Sequence, residues 1–85
     1  MTTTLPTEKR SLSTIAAEIR KDWGSRMYFG ARPYIEAMGC LDSIEDSYGY
    51  DDARGIVLYF LANAGTWRGE TAKRVKAELK ALAKR

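Results

Sequence analysis

The side chains best suited to act on something outside the chain are four lysines. Lys73, Lys76, Lys80 and Lys84 recur at helical spacing and fall within about 80° of one another on a wheel of 100° per residue. Four ammonium groups on one face, with Arg68, Arg74 and Arg85 close in sequence, make a positive field able to attract phosphates or an acidic protein. The plainer reading is a solvated outer face with Glu70–Arg74 and Arg74–Glu78 as ordinary i,i+4 pairs. A second group is aromatic. Met27, Tyr28 and Phe29 lie in a connection, where large apolar side chains either fold back on the core or wait for a partner. With Trp67 they form a candidate protein-binding set, since aromatic residues dominate interface anchors, whereas the plainer alternative makes them part of a small core.

Little else offers chemistry. The chain has no His and a single Cys, which removes the usual materials of a zinc site, a Ser-His-Asp or Cys-His centre and a disulfide framework. Cys40 has no basic neighbour in sequence to lower its pKa and is expected as a small core filler at the margin of a helix face. Asp42, Asp46, Asp51 and Asp52 read as helix caps and solvent-facing acids; their spacing lacks the alternating ligands and closing Glu of a calcium loop. Glu45 is expected at the edge of an apolar sector, paired with an arginine such as Arg32, Arg54 or Arg68. The glycines lack any Walker or dinucleotide spacing; Gly30, Gly55 and Gly69 suggest instead close packing of backbones. No nucleophile and base can be paired, so the expectation is a protein without enzymatic activity, cofactor or metal.

Charge is divided along the chain. The net +3 is the sum of −2 over residues 1–65, with seven bases and nine acids, and +5 over residues 66–85, with seven bases and two acids. From Glu36 to Asp52 there are six acids and no base, so a polarised surface is expected. At 85 residues there is room for one small domain with a dense core. The N-terminus lacks an apolar signal stretch, and the longest apolar run, Ile56 to Ala62, is far short of the roughly 20 residues of a membrane span. A cytoplasmic protein with no membrane contact is expected.

These residues have to be positioned by helices. Residues 1–10 have no periodic apolar face and are expected to be a mobile tail ahead of a helical domain over 11–85. Ser11 or Ser13 can cap a first helix, Leu12 to Trp23, that Gly24 stops. Pro33 favours a first helical turn. Tyr34, Ala37, Met38, Leu41, Ile44 and Tyr48 then share a face, which predicts a second helix over Pro33 to Tyr48, ended by Gly49. Asp51 or Tyr50 can open a third, whose run Ile56 to Ala62 is apolar on every side and marks the centre of the fold. A buried strand competes for that run, but it has no partner strand to satisfy its backbone. Gly65 is expected to end this helix and Thr66 to cap a last one over Trp67 to Ala83. The expected fold is all-α, a small single-domain bundle of about four helices with short connections.

A helix-turn-helix across Gly65 fails, because Leu61 stands where close approach wants a small residue and Arg74 where an apolar anchor belongs. The segments LSTIAAEIRKDW (Leu12 to Trp23), YFGARPYIEAM (Tyr28 to Met38), LDSI (Leu41 to Ile44) and YFLANAGTWRGETAKRVKAELKAL (Tyr59 to Leu82) do resemble one group. It comprises small proteins of actinobacteriophages and related prophages. The resemblance brings no functional residue with it. It implies a context: a phage gene product in a bacterial cytoplasm that binds host or phage macromolecules. The leading expectation is therefore a non-enzymatic accessory protein that binds a host or phage protein through Met27, Tyr28, Phe29 and Trp67. The alternative is sequence-tolerant nucleic-acid binding through Lys73, Lys76, Lys80 and Lys84, and either is compatible with a homo-oligomer.

Overall fold

The computed structural model describes residues 10–49 and 51–84. Four helices carry the chain: α1 (Leu12–Trp23), α2 (Arg32–Gly39), α3 (Ala53–Ala62) and α4 (Glu70–Ala83). Two residues from each side of a turn, β1 (Ser47–Tyr48) and β2 (Asp51–Asp52), pair antiparallel with Ser47 opposite Asp52, and Gly49 takes the positive φ of 65° that this turn needs. Helix α1 packs on α2 and α4, and α3 packs on the same two, so the fold is a small all-α bundle. Among the described residues no helix is long and apolar enough to cross a membrane.

Helix α1 has the bounds its sequence predicts. The Ser11 hydroxyl accepts from the Thr14 N–H, and Gly24 leaves the helix at φ 61°. Leu12, Ile15, Ala16, Ile19 and Trp23 are all buried, as their 3–4 spacing dictates. Arg10 precedes the helix and is no part of a mobile tail: its guanidinium grips Glu78 on α4 and Glu18 on α1. The rest of the expected tail, residues 1–9, lies outside the described residues, as does Tyr50.

The second helix is half the expected length. Gly39 is a poor helix former, and beyond it a side chain captures the backbone. Asp46 Oδ2 accepts from both Asp42 N–H and Ser43 N–H at 3.0 Å, replacing the bonds that helical carbonyls would make. The carbonyls of Leu41 and Asp42 turn to α1 instead, each accepting at 2.9 Å from the N–H groups of Ser13 and Leu12, which a helix's first turn leaves without intrahelical partners. Leu41 and Ile44 stay buried, but as loop residues. Glu45 is exposed in this turn rather than set in a helix face, and Cys40 is exposed at the end of α2 rather than filling the core.

Helix α3 is capped by Asp52, whose Oδ1 accepts from the Gly55 N–H at 2.8 Å. It ends at Ala62, before Gly65, and it is not enclosed on every side: Ile56, Val57 and Phe60 are buried, whereas Leu58 is 55% and Tyr59 57% exposed. Tyr34 of α2, half-buried, stacks on Tyr59 with ring centroids 5.6 Å apart. Helix α4 starts three residues later than expected because Gly69, at φ 112°, holds a backbone conformation that L side chains rarely adopt, and it breaks the run from Trp67. Ala72, Val75, Leu79 and Leu82 form its buried face.

Candidate functional site

The aromatic residues divide between core and surface. Trp67, expected on a binding surface, is only 2% exposed. Its ring stacks on Trp23 at 5.7 Å and meets the edge of Phe60 at 6.3 Å. Its indole N–H donates to Asp22 Oδ2 at 2.8 Å, which satisfies the one polar atom a buried Trp brings with it. Trp67 therefore cements α1, α3 and the connection into α4, and it is withdrawn from the binding set.

Tyr28 and Phe29 go the other way. Phe29 is 76% exposed and Tyr28 44%, and their rings pack on each other with centroids 5.2 Å apart. They sit where two single 3-10 turns, Gly24–Arg26 and Phe29–Ala31, join α1 to α2. Ala31 anchors that connection in the core, and Met27 packs partly buried against it. The Tyr28 ring lies directly over Gly30: a Cβ there would stand 2.5 Å from Tyr28 Cε2. Gly30 is thus approached by an aromatic side chain and not, as expected, by another stretch of backbone, and the absence of a side chain there makes room for the ring.

Two clefts flank this connection. The first, of about 260 Å³, is lined by Arg20 from α1, Gly24 and Met27 from the connection, and Arg32, Ile35 and Glu36 from α2. It falls below the roughly 300 Å³ at which small-molecule sites begin, and suits one inserted side chain. The second is lined by Asp22, Trp23, Arg26, Thr66, Trp67 and Arg68. Arg20, Arg26, Arg32 and Arg68 are all exposed, while Asp22 is held by the Trp67 indole.

The lysine row is less uniform than its spacing. Lys73, Lys80 and Lys84 are exposed on α4. Lys76 is not a solvated member of the row: its ammonium reaches back 2.6 Å to the Trp67 carbonyl. Burial, and then the positive charges of Arg68 and Lys80, push its pKa down. The other side of α4 does not form the expected i,i+4 pairs. Arg74 pairs with Glu18 of α1, and Glu78 takes Arg10 in two bonds, at 2.6 and 3.0 Å. Burial alone would raise the Glu18 pKa, but the hydrogen bonds from Arg10 and Arg74 outweigh it and hold the carboxyl below its ordinary value. The Glu78 hydrogen bond is the main reason that the Arg10 pKa is raised.

Among the described residues no group of three or more His, Cys, Asp or Glu side chains could hold a metal ion. Asp46 and Asp52 are engaged with backbone N–H groups. No protein family, curated protein or solved structure matches the chain.

Proposed function

We propose that this is a non-enzymatic protein-binding module, a phage-type accessory protein that engages a host or phage protein in the bacterial cytoplasm through Tyr28 and Phe29, with Met27 behind them. The observation that carries this reading is the exposed Tyr28–Phe29 pair, its rings packed on each other and Tyr28 lying over Gly30, on a short connection that is anchored at both ends by helices. A large aromatic side chain in water gains nothing for the fold, and two rings that already pack on each other offer one continuous apolar surface for a partner to cover. A photo-crosslinking side chain placed at Phe29, compared with one at Glu45 on the other connection, tests the reading inside bacteria. The expected outcome is a discrete adduct from position 29 alone, with a protein that, once purified, binds the wild type and not Phe29→Ala. No adduct at 29, or the same adducts from both positions, contradicts it.

A second reading rests on α4. Among the described residues no carboxylate pairs with Arg68, Lys73, Lys80 or Lys84. Such a row suits a phosphate backbone, and binding through it falls steeply with salt. A mobility-shift titration at two salt concentrations, with Lys73, Lys80 and Lys84 changed to Gln, checks it; no retardation at low salt rules it out.

A further inference from the structure

We infer that the segment bound at Tyr28 and Phe29 is an acidic peptide stretch, one of whose carboxylates enters the cleft between Arg20 and Arg32 while a neighbouring apolar side chain packs on Phe29. This rests on the protein-binding reading above and adds the chemistry of the partner.

The charge around the connection carries the inference. Between Arg20 and Arg32 the chain has four bases, Arg20, Lys21, Arg26 and Arg32, against the single acid Asp22, which already accepts from the Trp67 indole. Two of these arginines, Arg20 and Arg32, come from different helices and line one cleft together with Met27 and Ile35. Planar guanidinium groups bind carboxylates in paired hydrogen bonds, and two of them on a cleft lined by Met27, two residues before the exposed Phe29, suit a carboxylate next to an apolar residue. Arg26 and Arg68 extend the positive surface to the other side of the turn. This is the complement of an acidic segment several residues long.

A single-stranded nucleic acid would also welcome arginines beside aromatic rings. The geometry favours the peptide on two counts. Tyr28 and Phe29 tilt 55° to each other, so they offer no parallel pair of faces on which successive bases stack. Glu36 also lines the cleft and offsets one of its two arginines, so the positive charge left there matches a single carboxylate better than a run of phosphates.

The test is a selection from a displayed library of random peptides of about 12 residues against the full chain, a length that reaches both clefts if extended. Selected peptides are then measured on the wild type, on Phe29→Ala and on Arg20→Gln/Arg32→Gln. An oligothymidylate is measured on the wild type and on Phe29→Ala. The expected result is enrichment of Asp and Glu beside Leu, Phe or Trp. Binding should fall about tenfold or more in the double arginine variant, equally in Phe29→Ala, and steeply with salt. Peptides that need Phe29 but show no acidic enrichment and bind the arginine variant unchanged overturn this inference and leave the protein-binding reading standing. Selection of no peptide that depends on Phe29 removes both. Oligothymidylate binding that depends on Phe29, stronger than any peptide, overturns the inference in favour of a nucleic acid.

Discussion

The connections on either side of α2 differ in what they do with their side chains. The stretch between α2 and α3 turns inward: Leu41 and Ile44 are buried, and Asp46 ties the turn together. Its carbonyls at Leu41 and Asp42 complete the first turn of α1. The backbone at Leu41, Asp42 and Ser43 thus finds its partners within the fold. The stretch between α1 and α2 buries Ala31 and part of Met27, yet leaves Tyr28 and Phe29 outside, on a backbone held in two 3-10 turns. One connection is explained by stability alone. The other exposes a packed aromatic pair that stability does not explain, and this is the surface that the proposed recognition would use.

The contrast can be broken most forcefully at Leu41. Replacing this buried side chain by Ala should cost about 3 kcal/mol through lost burial and the cavity left behind. In a chain of this size that lowers Tm by roughly 12–24 °C, readable by circular dichroism. A Tm within a few degrees of wild type would mean that the inward connection contributes far less than its burial implies. Next comes Asp46→Ala, which leaves two backbone N–H groups without their acceptor and should cost about 1–2 kcal/mol in urea unfolding.

Smaller still is the clasp between α1 and α4. Glu18→Gln should lose about 1 kcal/mol near neutral pH, since the pairs are partly solvated. Because the fold lowers the Glu18 pKa, its contribution is present above the unfolded carboxyl value of about 4.3 and is lost as pH falls through the lower folded value. Wild type and variant should therefore converge in acid; a difference that persists there contradicts the ionic origin. Gly30→Ala sharpens the comparison from the outward side. The new methyl group displaces the Tyr28 ring, which is free to swing into solvent, so stability should change by about 0.5 kcal/mol or less while partner affinity drops.

Much of this architecture is legible in the sequence, and the departures have physical causes. Helix α1 is read to the residue because its cap, its apolar spacing and its terminal glycine agree. The second helix is overextended because Leu41 and Ile44 keep helical spacing while entering the core from a loop, and periodicity cannot tell the two apart. The run at α3 reads as enclosed because its composition is apolar throughout, whereas the three other short helices cannot cover it, and Leu58 and Tyr59 remain outside. Trp67 could have been assigned to the core by its size, but its packing on Trp23 and Phe60 brings together residues far apart in the chain. For the same reason the meeting of Arg20 with Arg32 around Met27 is invisible in any local pattern, although Tyr28 and Phe29 were identifiable from their place in a connection.

Whether Phe29 serves recognition or the fold is decided by measuring the unfolding free energy and the peptide affinity of Phe29→Ala side by side. A recognition residue that is 76% exposed leaves stability within about 0.5 kcal/mol of wild type when truncated, together with a loss of binding of about tenfold or more. A variant destabilised by about 2 kcal/mol or more that binds as tightly as the wild type would contradict it, and would make Phe29 a structural residue.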